Sequence, residues 1–350
     1  MNDRLLTAVD ANFNRALEGL RVCEDVCRFV LRDGRLAALL KQSRHDLAGL
    51  AAIFPQLELL RARDVAADPV KSTDLTTETT RSSPADLFTR NLHRAAEALR
   101  SIEEFSKLGT GESARFQALR FSLYAIEQDA LFALRRGAAI ERFAHSLYAI
   151  CDPSFAGSDL PAAARALADG GASIIQLRMK NAPAGEVLPV ARKISAICRE
   201  RNAVFIVNDR PDIALAAGAH GVHLGQDDMP VPDARKILPP DMIIGVSTHS
   251  LEQAGRALGD APDYLAIGPV YDTPSKYGEP LAGIGTDAVR RVAEMSNVPV
   301  VAIGDIVPEK AAELASAGVN CLAVMSFLFR GDISGRCREV TAAIGATVRE

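Results

Sequence analysis

SIIQLRMK, residues 173–180, passes within eight residues from a β-branched apolar run to polar and basic side chains. The same passage recurs in VFIVND (204–209), GVHLGQDD (221–228) and IIGVSTH (243–249), each a Val/Ile-rich run that ends in residues able to bind or ionise. Short, nearly continuous apolar runs are what strands buried on both faces require. Segments of helical length, rich in Ala, Glu and Arg, separate them, so this part of the chain reads as repeated βα units with a parallel sheet.

Working outward in both directions, strands are predicted near 146–152, 173–179, 204–208, 221–224, 242–247, 264–268, 298–303 and 321–325, with a last helix near 333–348. Eight βα units in about 205 residues match a closed (β/α)8 TIM barrel. An open doubly wound sheet would also alternate. To bind a dinucleotide it would need a glycine-rich turn after its first strand, and CDPSFAGSD (151–159) has no G-x-G-x-x-G.

Before residue 140 the pattern is helical, with apolar residues three to four apart and few strand-like runs. The chain is therefore divided into an all-helical domain, 1–140, and a barrel, 146–350. The helical part carries an internal repeat: NFNRALEGLRVCED (12–25) aligns with NLHRAAEALRSIEE (91–104), pairing Asn12 with Asn91, Arg15 with Arg94 and Glu24 with Glu103. Duplicated helical hairpins about a pseudo-twofold axis are the simplest reading. Asn14, Glu18, Arg21, Asp25 and Arg28 form one helical stripe, repeated as His93, Glu97, Arg100, Glu104 and Lys107. The stripe fits either a solvated face laced by ion pairs or the wall of a polar cleft. The Thr/Ser-rich segment between the copies, 61–83, reads either as a loop closing over a phosphate or as a linker.

The chain has 350 residues, 48% of them hydrophobic, and a net charge of −4. It is long enough for two or three domains with a large core. It lacks the broad basic field of a nucleic-acid binder, so any anion site must be local and the partner small. Charges in MNDRLLTAVDANFNR (1–15) interrupt the apolar core a signal peptide needs, and no stretch is apolar enough to span a bilayer. The six cysteines are scattered, without the spacing of a disulfide framework or a zinc site. Cys23 and Cys27 are expected to be buried structural thiols, and the expected location is the cytoplasm.

Residues at the carboxyl ends of barrel strands share one mouth. Gln176, Arg178 and Lys180 alternate and should face the same way. Arg grips phosphate oxygens bidentately and Lys adds a point charge. Asp209 and Asp228, from adjacent strand ends, are candidate ligands for Mg²⁺, which takes one or two carboxylates with water and substrate phosphate. Asp227 is expected to cap the following helix, and His223 to be packed structurally. Ser247, Thr248 and His249 end strand five with hydroxyls available to phosphate. GPVYDTPSKYGEP (268–280) belongs to a long loop suited to closing over substrate and offers Thr273, Ser275 and Lys276. After strands seven and eight, Gly304, Asp305, Met325 and Ser326 suggest a second, backbone-built anion site. Basic residues, paired acids and a second phosphate cradle fit the departure of a pyrophosphate. No Ser-His-Asp order or activated Cys is evident.

The ordered set QLRMK, FIVND, GVHLGQDD, GVSTHS, GPVYDTPSK, VVAIGDI and AVMS resembles the thiamine-phosphate synthase family over residues 146–330. The resemblance implies condensation of 4-amino-2-methyl-5-(diphosphooxymethyl)pyrimidine with 4-methyl-5-(2-phosphooxyethyl)thiazole, giving thiamine phosphate and pyrophosphate. It assigns Gln176, Leu177, Arg178, Met179, Lys180, Asn208, Ser247 and Lys276 to the pyrimidine diphosphate, with Arg178, Lys180, Ser247 and Lys276 as the catalytic set. Asp209 and Asp228 would hold Mg²⁺, and Thr273, Pro274, Ser275, Gly304, Met325 and Ser326 the thiazole phosphate. The family's T-x-T-K reads Thr273-Pro274-Ser275-Lys276 here, which keeps the hydroxyl. Its Gly-Gly reads Gly304-Asp305, which suits a phosphate only if Asp305 turns away as the N-cap of VPEKAAELA (307–315).

The N-terminal repeat resembles an extension carried by some members, a family proposed to supply hydroxymethylpyrimidine-phosphate kinase activity. No P-loop accompanies it. A dimerisation module, making the chain a homo-oligomer, is the competing reading for that half. A thiazole tautomerase-like barrel is the competing reading for the other.

Overall fold

The computed structural model describes residues 3–63, 80–273 and 281–347. The chain forms two compact units that divide between Arg135 and Arg136.

The first unit is helical: α1 (Asp3–Asp25), followed by a π-helical turn (Val26–Val30), then α2 (Gly34–Ala51), α3 (Gln56–Ala62), α4 (Pro84–Ser106) and α5 (Ser113–Glu141). α1 packs chiefly on α4, the two helices that carry the repeated motif. Ala16 and Leu20 are buried together with their counterparts Ala95 and Leu99. A Cβ on Gly19 would lie 2.6 Å from the Asn91 carbonyl oxygen, so glycine permits the close approach of the two helices.

The paired asparagines make the same bond in both copies. Asn12 Nδ2 donates to Ala8 O and Asn91 Nδ2 to Leu87 O, each at 2.8 Å. The charged stripe is solvated in both copies. Arg21 meets Asp25 at 3.2 Å, and Glu104 receives Arg100 at 2.6 Å and Lys107 at 2.8 Å, all on exposed side chains. The repeated acids behave differently, because Glu24 and Glu103 are buried. Glu24 is neutralised by Arg44 at 2.7 Å, and Glu103 by Arg100 and by Arg120 at 3.1 Å. Most of the segment 61–83 lies outside the described residues.

The second unit is a closed parallel barrel with strands in sequence order: β1 (Ser146–Cys151), β2 (Ile174–Leu177), β3 (Val204–Asn208), β4 (Gly221–Leu224), β5 (Ile243–Thr248), β6 (Tyr264–Ile267), β7 (Val300–Ile303) and β8 (Cys321–Val324). β1 closes on β8 with Ser146 opposite Cys321. Alternation along each strand separates two cores. Leu147, Ala149, Ile175, Phe205, Val222, Ile244 and Leu265 face outward into the layer shared with the helices. Tyr148, Ile150, Ile174, Ile206, Ile243, Tyr264 and Val301 fill the interior, with Phe143 at its amino end. Phe143 is fully buried and its ring lies 4.6 Å from that of Tyr264.

The interior is tightly fitted where Tyr264 crosses it. A Cβ on Gly245 would fall 1.9 Å from the Tyr264 Cζ, so the ring occupies the space a β5 side chain would take. All six cysteines are buried and free. Burial pushes the Cys27, Cys151, Cys198, Cys321 and Cys337 thiols up to about 12. No helix among the described residues is long and apolar enough to cross a membrane.

Two expectations, for Asp227 and Thr248, need correction, and the condition placed on Asp305 is not met. Asp227 does not cap: the helix Val231–Ile237 starts at Pro230 with no side-chain cap, because two residues and a proline separate the acid from the first free N–H groups. Asp305 does not cap either: the 3₁₀ turn Pro308–Lys310 begins after Val307 without a side-chain cap, and Lys310 takes the Asp305 carboxylate at 3.4 Å. The Thr248 hydroxyl is not available to a ligand, since it is buried and donates to Ala266 O at 2.9 Å.

Candidate active site

At the carboxyl ends of the strands a cavity of about 600 Å³ opens. It is lined by residues from strand ends and loops around the barrel. Gln176, Arg178 and Lys180 all line it, as the alternation predicts. Leu177 is buried in the outer core and Met179 packs against it, so neither lines the cavity. Asn208, Asp209, Asp228, Ser247, Thr273, Gly304, Met325 and Ser326 also line it. Pro274, Ser275 and Lys276 lie outside the described residues.

β2 ends at Leu177, and the next N–H, from Arg178, still bonds Cys151 O at 2.9 Å. That bond keeps Arg178 in register with β1, whose last turn supplies its partner. Arg178 Nη1 lies 2.5 Å from Asp152 Oδ2, and Asp152 is itself fixed by accepting the Ser154 N–H at 2.9 Å. A guanidinium held from behind by one carboxylate keeps its remaining N–H groups for an anion in the cavity. Asp152 was missed by the sequence reading. The DPS after β1 carries the ordinary signal of a helix cap, and that is also what it is.

Asp209 and Asp228 converge. Asp209 follows β3 with a left-handed backbone (φ 62°), anchored by its N–H to His223 O at 2.8 Å across to β4. Asp228 closes the turn after β4, its Oδ2 accepting the Gly225 N–H at 2.6 Å. Burial and the neighbouring Asp228, within hydrogen-bonding reach, push Asp209 up to about 6 against the opposing pull of Lys180 and Arg178. Lys180 Nζ stands 3.6 Å from Asp209 Oδ2. Two carboxylates this close hold excess negative charge that one exposed lysine does not cancel, and a hard divalent cation with oxygen ligands fits that donor set. Among the described residues no cluster of three or more ligating side chains occurs. A cation here would thus complete its shell with water and ligand oxygens.

Beneath these groups runs a buried hydrogen-bond chain that the sequence reading did not find. The Tyr148 hydroxyl, which lines the cavity, meets Tyr264 Oη at 2.9 Å. Tyr264 Oη also meets His223 Nδ1 at 2.9 Å, and His223 Nε2 meets Ser247 Oγ at 2.7 Å. Burial lowers His223 to about 4, so the ring is neutral at pH 7, bonding through one donor and one acceptor nitrogen. His223 is packed structurally, as expected, and it also fixes Ser247 at the cavity wall. Gln226 adds a second hold on that residue, donating to Ser247 O at 2.6 Å. His249 lines the cavity with its Nδ1 2.5 Å from Gly268 O.

The opposite side of the mouth is built by backbone. Gly304 (φ 114°) passes so close to Pro269 that a Cβ would sit 2.5 Å from the Pro269 Cα. The 3₁₀ helix Ser326–Phe329 starts at the end of β8, where its first N–H groups have no intrahelical acceptor.

The comparisons with known proteins agree with this arrangement. The family model described as thiamine monophosphate synthase matches residues 147–328, and that of the ThiD2 family matches residues 7–129. A thiamine-phosphate synthase from a Nostoc species is 38% identical over 93% of this chain and 89% of its own length. One from Gloeobacter violaceus is 37% identical over 95% and 94%. Among solved structures, thiamine phosphate pyrophosphorylase from Pyrococcus furiosus aligns with a TM-score of 0.54 at 35% identity, covering 59% of this chain and 99% of that one.

Proposed function

The chain belongs to the thiamine-phosphate synthase family, a family of transferases, and on that premise we propose that its barrel mouth joins the pyrimidine diphosphate to the thiazole phosphate by assisting pyrophosphate departure. The observation that carries this reading is the meeting of Asp209 and Asp228 beside Arg178 and Lys180.

Arg178 and Lys180, joined by Lys276, bind the diphosphate oxygens. Asp209 and Asp228 would hold Mg²⁺, which when bound supplies positive charge to those same oxygens. The bond between the pyrimidine methylene carbon and the diphosphate oxygen breaks, and its electron pair leaves with pyrophosphate. The electron-rich aminopyrimidine carries the resulting cation, and the thiazole nitrogen donates its lone pair to form the new C–N bond. Charge stabilisation and exclusion of water are the protein's contribution, and no protein nucleophile is needed. Gln176, Asn208 and Ser247 orient the pyrimidine; Thr273, Ser275, Gly304, Met325 and Ser326 receive the thiazole phosphate. A tautomerase would not need the paired acids.

Mixing the full chain with Mg²⁺ and both substrates should release pyrophosphate and thiamine phosphate in equal amounts. Turnover undiminished by chelation of Mg²⁺ would overturn the metal assignment. For residues 1–140, the match to the ThiD2 family supports the kinase reading of that half. Phosphorylation of pyrimidine monophosphate by the full chain with ATP tests it, and absence of both turnover and binding would refute it.

A further inference from the structure

We propose that Lys310 is a specificity-determining residue for the phosphorylated thiazole, neutralising Asp305 so that the β7–β8 end of the cavity accepts a phosphate monoester. The proposal rests on the reading of that end as the thiazole-phosphate pocket.

Asp305 lines the cavity and its side chain is 40% exposed. A lone carboxylate there would repel an arriving dianion, since it offers only acceptor oxygens. Lys310 answers that charge from the second turn after β7. Its Nζ donates to Asp305 O at 3.0 Å and lies 3.4 Å from the carboxylate Oδ2. The same ammonium sits 3.8 Å from the centroid of the Tyr271 ring, a cation–π contact. Tyr271 is held in turn by donating to Glu313 at 2.9 Å.

One ammonium therefore ties the segment after β7 to the segment after β6, and each segment gives a residue, Asp305 and Thr273, to the cavity wall. The Lys310 side chain is half-buried, 28% exposed. Lys310 is not itself part of the cavity lining, so it acts through Asp305 as a positioning residue.

The test is steady-state kinetics of the full chain with Mg²⁺ and saturating pyrimidine diphosphate. Lys310→Ala is expected to raise KM for the thiazole phosphate by about tenfold, the effect of one unscreened charge a few ångströms from a dianion in water-like surroundings. Its kcat, and its KM for the pyrimidine diphosphate, should stay within about twofold of the parent. Lys310→Arg, which keeps the charge, should resemble the parent. Adding Asp305→Asn to Lys310→Ala should restore KM, because asparagine tolerates the left-handed backbone at that position (φ 47°).

Failure of Asp305→Asn to rescue, or impairment by Lys310→Arg equal to that of Lys310→Ala, would overturn the proposal. Ser326→Asp separates the proposal from the reading beneath it. If Ser326→Asp raises KM for the thiazole phosphate while Lys310→Ala does not, the Lys310 proposal alone falls. If neither variant changes it, the assignment of this end of the cavity falls as well.

Discussion

Asp209 and Asp228 reach the same point of the barrel mouth from adjacent strand ends, close enough that Asp228 raises the cost of ionising Asp209. Neither acid is held by a full ion pair: Lys180 approaches Asp209 at 3.6 Å from an exposed position, and Asp228 is bonded to the Gly225 N–H. The excess negative charge left on the pair is what the proposed Mg²⁺ site requires.

The first prediction concerns pH. Asp209 is raised by burial and by Asp228 to about 6. Between its ordinary range and about 6 the metal-free folded chain keeps a proton that the unfolded chain has released. That group's contribution to stability is therefore present at low pH and lost as pH rises through about 6. Mg²⁺ competes with the proton, so its half-saturating concentration should rise about tenfold for each pH unit below that point. Calorimetric Mg²⁺ titration across this range checks it, and a flat profile would refute the shared site.

Asp209→Asn, which suits the left-handed backbone there (φ 62°), and Lys276→Ala should each lower turnover by on the order of a hundredfold or more while leaving the melting temperature near that of the parent. Near-normal rates in both would remove the charge-neutralisation reading altogether.

Gly245→Ala should destabilise the barrel by about 1–3 kcal/mol, the usual range for overpacking, because the new methyl would meet the Tyr264 ring at 1.9 Å. Combining it with Tyr264→Leu should recover part of the loss in thermal denaturation. A fully additive loss would show that the ring is not the obstacle.

Tyr264→Phe keeps the ring packing but removes the hydroxyl shared by Tyr148 and His223. It should cost about 1–3 kcal/mol for the buried partners left unsatisfied. Turnover should fall further than in Thr248→Val, whose hydroxyl bonds away from the cavity. Equal losses of turnover in the two variants would contradict a link between the buried chain and Ser247.

Native protein should resist thiol reagents, with all six cysteines reacting only after denaturation, because every thiol is buried and burial disfavours the reactive thiolate. Rapid labelling of Cys27, within the π-helical turn, would reveal local opening of the first unit.

The barrel was legible because a strand buried on both faces is written largely in β-branched residues, and the change to Arg178, Asn208 or Ser247 marks where full burial stops. The convergence of Asp209 with Asp228 followed from strand adjacency alone. What escaped the reading depends on contacts across the barrel. Tyr148 and Tyr264, 116 positions apart, look like ordinary core residues until their hydroxyls meet. The condition placed on Asp305, that it turn away as a cap, is not met because a cap signal is local, whereas Lys310 reaches back across a 3₁₀ turn to take the carboxylate. The duplicated helices were readable down to Asn12 and Asn91, but the partners of Glu24 and Glu103 differ, since Arg44 and Arg120 occupy non-equivalent places in the two copies.

The polar thread through the barrel interior joins two residues of the cavity wall that stand on different strands. Tyr148 at one end and Ser247 at the other are linked through a second phenol and an imidazole. Swapping any one bead for an apolar group therefore leaves a loose end on both sides. Directed changes of substrate preference at Tyr148 or Ser247 would have to be made in concert, because both ends are held by the same two inner groups.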